Sequence, residues 1–511
     1  MGEIIKASEL DAPLSLKTKV CIIGSGAGGA VLAMRLAEAG IDTVMLEAGP
    51  LVSSEDFTLR EDEAYPLLYQ DRGARVSGDG AITIMQGRSV GGGTTVNWTS
   101  CYRTPEPVLR HWSEVHGVKN LTSKRLEPHF EAIEKLLSIA PWPESLSNAN
   151  NRKLFTGARK LGWQVEPTRR NVAGCVSSGY CGMGCPVDAK QAMHLTTIPA
   201  ALKAGMTLIA ECPVLRLEKE GARVSAVVAR AQAVGDAEPK GQMIRVEAEL
   251  VVVSAGALNG PALLLRSQIN PGGKVGKRTF LHPVVAMIGR YAEPVHAFYG
   301  PPQSVASHQF IKPQPGGYGM FIESAPVHPM LAASVLPASG LEIADLLADL
   351  AHMGALIALH VDGFEDEGGS VSLRSGGLPK LDYPVSRGLA AAMKLSHKRL
   401  AELSLAAGAE WVASLHPEQM ILRNKADLKR LDGLEYGAFA HTIFSAHQMG
   451  GCAMGHRGVV DEHFALRGMD NLYVVDGSLF PTSLGVNPSQ SIYGLAHLAA
   501  EEIAAAVGVK L

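Results

Sequence analysis

Residues 19 to 50 read KVCIIGSGAGGAVLAMRLAEAGIDTVMLEAGP. A short apolar strand runs into a glycine-rich turn, an amphipathic helix follows, Gly40 stops it, and a second strand ends at Glu47. This is one complete βαβ unit. Gly24, Gly26 and Gly29 fit the dinucleotide fingerprint. The first permits the turn, the second admits a pyrophosphate to the backbone, and the third lets helix and strand pack closely. The helix N-terminus then faces phosphate. Glu47, at the end of the second strand, stands where a carboxylate accepts hydrogen bonds from ribose hydroxyls. An adenine dinucleotide is expected, and the fingerprint leaves NAD and FAD equally open.

The chain has 511 residues, 46% of them hydrophobic, enough for two or three domains with full cores. Its formal net charge is only -3, with basic and acidic residues interspersed, so the footprint of a nucleic-acid binder is missing. The start, MGEIIKASELDAPLSLKTKV, lacks the charged and apolar regions of a signal peptide, so cytoplasmic synthesis is the expectation. The most apolar windows are broken by Asn259 and Pro261 and by Asp349 and His352, and neither is expected to span a membrane. The second of them reads as an apolar helix near 341 to 358.

The βα grammar returns twice. LVVVSAGALNGPALLLRS reads as a buried strand, a small-residue turn and a helix beginning near Pro261. NLYVVDGSLFP gives a strand ending in an acid and a glycine, and NPSQSIYGLAHLAAEEIAAAV a helix opening at Asn487 and Pro488. Stretches of other texture lie between. The fold class expected is α/β, α+β overall: a discontinuous, Rossmann-like nucleotide domain of residues 1–105, 200–285 and 440–511. A segment of residues 106–199 and a second domain of residues 286–439 are inserted into it.

Three further stretches, GRSVGGGTTVNW (87 to 98), SAHQMGGCAMG (445 to 455) and VVDGSLFPTSLGVNPSQSIYGLAHLAAE (474 to 501), resemble the glucose-methanol-choline oxidoreductases over nearly the whole chain. The resemblance implies FAD, a mixed sheet in the flavin domain, and a substrate domain whose antiparallel sheet roofs the flavin ring. It is nearest the branch acting on long-chain and other hydrophobic alcohols. Gly92 and Gly93 would lie against the flavin with Asn97 beside its redox-active edge, and Val214 would join the cofactor contacts. Asp476 and Gly477 would face the ribityl chain, and Pro488 would open a helix whose N-terminus stabilises reduced flavin. Some relatives attach FAD through a histidine just before the asparagine of the second motif. This chain has Val96 there, so noncovalent FAD is expected.

Oxidising an alcohol requires a base for the hydroxyl proton as hydride leaves the carbon, and neutral histidine suits that task. His447 falls on the family's catalytic position and Asn487 on its partner, a donor to the developing alkoxide. His282, His441 and His497 are read as structural or pocket-lining, and Cys452 as a packed small residue. A lyase or decarboxylase on the same scaffold is the alternative reading, and a purely electron-passing subunit a third.

GCVSSGYCGMGCP places Cys175, Cys181 and Cys185 in one short loop. Such a trio asks for a shared ligand, a disulfide or a tight turn near chemistry. Its spacing resembles the loop of membrane-linked glucose and gluconate dehydrogenases that holds an iron–sulfur cluster. A cluster would imply a cytochrome, quinone or small-subunit electron-transfer partner and, with an exported partner, a periplasmic location.

Overall fold

A computed structural model describes residues 2–336, 340–417 and 420–511. The apolar runs CII, TVML and LVVV sit side by side because each is flanked by parallel strands and buried on both faces. They belong to an eight-stranded sheet in the order Ile4–Lys6, Thr207–Ala210, Thr43–Leu46, Leu14–Ile23, Met243–Val253, Arg223–Arg230, Val214–Glu220, with Leu472–Val474 off this path. The long strand Met243–Val253 pairs antiparallel with Arg223–Arg230 through its first half and parallel with Leu472–Val474 through its last residues. The sheet is therefore mixed. Helices Ala27–Glu38 and Ser489–Ala506 pack on each other against it.

The second large sheet has nine strands and is almost wholly antiparallel. Its centre runs Trp411–Ser414, Val284–Arg290, Met353–Val361, Gly319–Ala325, Val305–Ser307, and helix Arg387–Ala406 packs on it. Ile82–Ile84 and Ile443–Ser445 pair parallel and extend it beside Val284. The second glycine loop follows Ile82–Ile84 closely in sequence and so leaves from this sheet.

Two local expectations change. The run near 341 to 358 is helical only over Gly340–Ala348, and Met353–Val361 is a central strand. Both halves are apolar, and pairing to Val284–Arg290 and Gly319–Ala325 decides the second. The helix expected near Pro261 opens at Gly256, with Pro261 inside it. Its first N–H is capped by Asp476 Oδ2 at 2.7 Å, a partner 220 residues away that no local signal announces.

Glycine is required where backbone meets backbone. A Cβ on Gly29 would lie 2.0 Å from the Gly24 carbonyl oxygen, and one on Gly28 2.0 Å from that of Val475. Gly28 therefore sets the distance between the first helix and the strand Leu472–Val474. Gly28→Ala is expected to cost about 2 kcal/mol or more, the scale of forced overpacking against groups that cannot move. Gly433→Ala, away from the cavity and with a Cβ that meets nothing within 4 Å, should leave stability unchanged. Urea unfolding of the two variants beside the parent measures both.

Candidate active site

Where the two sheets meet there is a cavity of about 2200 Å³. That exceeds the roughly 300–1,000 Å³ of an ordinary small-ligand site. Of the residues singled out by sequence, Gly24, Gly26, Glu47, Gly92, Gly93, Asn97, Val214, Asp476, Gly477, Asn487, Pro488 and His447 all line it. Gly29 does not; it packs helix against loop behind the wall.

One end is built from the two glycine loops. Gly24 has φ +104°, and a Cβ there would strike the Ser254 carbonyl at 2.3 Å. Gly92 has φ +54°, and its Cβ would stand 2.7 Å from Gly26 Cα, so the two loops touch through bare backbone. Glu47 is buried and accepts from Ser25 N–H (3.0 Å), Ser25 Oγ (2.6 Å) and Gly49 N–H (2.8 Å). Burial pushes its carboxyl up, while those bonds and the Arg88 charge pull it down. Asp476, also buried and raised by burial, uses Oδ1 for Ser478 N–H at 2.8 Å and Oδ2 for Gly256 N–H. Both acids thus spend their bonds shaping loops whose rims face the cavity.

These features fit an adenine dinucleotide with a flavin. The glycines form a cradle that side chains would fill, a helix begins at the cavity wall, and the buried Asn97 Oδ1 has no partner within the protein. Val96 is buried beside it, with no nucleophilic atom to offer.

At the other end His447 and Asn487 stand together. Asn487 Nδ2 lies 3.4 Å from His447 Nε2 and 3.4 Å from Glu323 Oε2, and its Oδ1 is buried without a partner. Burial pushes the His447 imidazole down to about 4, so it is neutral at pH 7. His447 Nδ1 is 3.2 Å from His282 Nδ1, so one ring donates to the other. His282, read as structural or pocket-lining from sequence, is therefore the direct partner of His447. Gly485 N–H donates to His282 Nε2 at 3.1 Å.

Sequence reasoning missed Ser25, Gly28, His282 and Glu323. Glu323 alone left a legible trace, as one carboxylate in the otherwise uncharged, wholly buried strand GMFIESA. Ser25 lies at a free position of the glycine fingerprint, and His282 in a segment with no pattern of its own.

The cysteine loop corrects an expectation. Among the described residues no group of three or more Cys, His, Asp or Glu could hold a metal ion, and Cys175, Cys181 and Cys185 are free thiols. Burial pushes the Cys181 thiol up. Its Sγ faces Arg170 Nη2 at 3.8 Å, and Lys190 Nζ donates to its carbonyl at 2.7 Å. The buried Arg170 and Lys190 beside it favour the thiolate, but desolvation outweighs them and the thiol stays protonated. The iron–sulfur assignment is not supported, and no cytochrome, quinone or small-subunit partner is shown. The loop instead supplies Gly182 and Met183 to the cavity wall. No helix among the described residues is long and apolar enough to cross a membrane.

Comparison with known proteins agrees with this geometry. Residues 65–284 and 366–496 match the N- and C-terminal models of GMC oxidoreductases, and residues 17–53 an FAD binding domain. A GMC-type oxidoreductase of Mycobacterium tuberculosis is 32% identical over 518 aligned residues, covering 100% of this chain and 79% of that protein. A long-chain-alcohol oxidase of Arabidopsis thaliana is 28% identical, over 98% of this chain and 70% of its own. The crystal structure of pyridoxine 4-oxidase from Mesorbium loti superposes with a TM-score of 0.68 at 19% identity, covering 94% of this chain and 98% of that one. With two family models spanning most of its length and a relative of this identity along all of it, the chain belongs to the GMC oxidoreductases and is an FAD-dependent oxidoreductase.

Proposed function

We propose that the protein oxidises an apolar primary or secondary alcohol to its carbonyl, with FAD held noncovalently and His447 taking the hydroxyl proton. One observation carries the reading. Val284, Ala286 and Ile288, with Met353, Ala355, Ile357 and Leu359, all line the cavity at the period of two that defines one face of a sheet. The antiparallel sheet thus turns an aliphatic face onto the chamber that holds His447 and Asn487. Burying an alkyl chain there contributes about 0.8 kcal/mol per methylene, and leaves the alcohol head beside His447 and Asn487. The likeness to the long-chain-alcohol oxidase points the same way.

FAD bound along the glycine loops would supply the hydride acceptor; the protein's own residues hold the alcohol and move its proton. Asn487 has the amide to donate to the oxygen as negative charge grows. His447 Nε2 faces the same point. The Gly485 N–H on His282 Nε2 places the hydrogen of His282 on Nδ1, and through it that of neutral His447 on Nε2. Accepting a proton at Nε2 therefore requires this placement to reverse, with His447 Nδ1–H donating to His282. The Gly485 bond is then lost, at a cost of about 1–3 kcal/mol. The hydrogen bond from the alcohol hydroxyl to Nε2 offsets it. Burial holds His447 neutral at pH 7, so it enters the reaction with an unprotonated ring nitrogen.

Three measurements test this. Acid precipitation should release free FAD into solution; yellow colour retained in the pellet would mean a covalent flavin. Under anaerobic conditions a homologous series of primary alcohols should bleach the flavin faster as the chain lengthens. A flavin that stays oxidised with every alcohol favours instead the lyase or decarboxylase reading. His447→Ala should keep FAD but slow that bleaching by at least roughly a hundredfold, the usual scale for losing a general base. Reduction within a few-fold of the parent would remove His447 from the chemistry.

A further inference from the structure

Beside Asn487 lies a carboxyl group that the reaction as drawn does not use. Glu323 is fully buried in the strand Gly319–Ala325, paired in register with Ala306 on one side and Ile357 on the other. Its Oε2 accepts from Gln303 Nε2 at 2.7 Å and from Asn487 Nδ2 at 3.4 Å, and its Oε1 has no partner. Gln303 is itself tied by its Oε1 to Ser100 Oγ at 3.1 Å and its carbonyl to Thr168 Oγ at 2.7 Å. Among the described residues Glu323 makes no salt bridge.

The ionisable groups around it offer no positive charge. Tyr102, from the segment after Ser100, has a buried hydroxyl without a partner, and burial raises it well above its ordinary value. His308, after the neighbouring strand Val305–Ser307, stacks on Phe321 and meets Tyr102 edge-on, and burial holds it neutral at pH 7. His447, beyond Asn487, is neutral for the same reason. An isolated carboxylate in such surroundings, with one oxygen bare, costs several kcal/mol of desolvation, whereas the neutral acid costs far less.

We propose that Glu323 is a positioning residue that works as an uncharged carboxylic acid, holding the Asn487 amide at the substrate while leaving its hydrogens free to be shared. This rests on the reading above that Asn487 meets the alcohol oxygen. A carboxylate at Oε2 would draw the Asn487 amide into a charge-assisted bond, roughly twice as strong as a neutral one, and withdraw it from His447 and the alcohol. The acid keeps that bond weak, in keeping with its 3.4 Å length. Burial accordingly raises the Glu323 carboxyl to about 8. Its proton is fully present at pH 6, and is lost as pH rises through that value. Asn487 then turns from the alcohol toward Glu323.

Two readouts test it on the FAD-loaded enzyme. In infrared titration, the parent minus Glu323→Gln difference should show the carbonyl band of a protonated carboxyl at pH 7 that fades by pH 10. A carboxylate signature already present at pH 7 overturns the proposal. In anaerobic stopped-flow with a saturating alcohol, flavin reduction by the parent should fall about tenfold from pH 7 to pH 9, following loss of the acid form. Glu323→Gln, a neutral isostere, should match the parent within about threefold at pH 7 and show no such fall. A tenfold loss in Glu323→Gln at pH 7 with FAD retained, or an unchanged alkaline fall, overturns it. If Asn487→Ala reduces flavin normally, the placement of the alcohol fails, while the infrared titration still decides the charge state of Glu323.

Discussion

The contact on which the rest of the structure depends is the one at Ser25. Its Oγ donates to Glu47 at 2.6 Å and accepts from Gly91 N–H at 3.0 Å. Three segments that arrive separately, the turn after the first strand, the end of the second strand and the second glycine loop, are joined by one hydroxyl. All of it is buried, so each donor and acceptor must be satisfied inside the protein. Replacing water with this fixed set of bonds is what lets Gly26 and Gly92 meet backbone to backbone. The wall they form has no side chain on it. A long, charged cofactor can lie along such a wall because the amides present there need no rearrangement to receive it.

From that knot the two sheets take opposite tasks. The mixed sheet brings strand ends and helix starts to the cavity, the arrangement that suits an anionic dinucleotide. The antiparallel sheet presents every second side chain of its central strands, all of them aliphatic there. Asn487 comes from just before the helix Ser489–Ala506 of the mixed-sheet half, whereas His447 follows strand Ile443–Ser445 and Glu323 lies in Gly319–Ala325, both of the antiparallel sheet. The reacting end of the cavity is thus a seam between two halves of the molecule, and neither half contains it alone.

The seam also explains why three histidine and carboxyl groups there are shifted toward neutrality. His447, His282 and Glu323 are each enclosed by apolar strands and by one another, with no Lys or Arg to favour charge. Desolvation is the largest cause in each case. A neutral site is the right setting for moving a proton and a hydride out of an uncharged alcohol, since no fixed charge has to be screened before the reaction begins.

Much of this was legible in the sequence for a definite reason. The βαβ unit, Glu47, the second glycine loop, and the His447 and Asn487 motifs are short local patterns, and the backbone conformations they need are set by residues near them in the chain. Gly24 and Gly92 could be read because positive φ and bare backbone leave a compositional mark. Tertiary structure alone decided what depends on partners far away in sequence. Asp476 moved the start of a helix 220 residues from it, and neighbouring strands turned half of an apolar helix reading into Met353–Val361. Whether three cysteines close in sequence gather around one point is likewise decided by the folded loop, and among the described residues they form no metal-holding group. His282 and Glu323 became part of the site only because the fold brings them to His447 and Asn487, 165 and 164 residues further along the chain. A hydrogen bond between distant residues has no period and no motif, so it becomes visible only when the chain has brought its ends together.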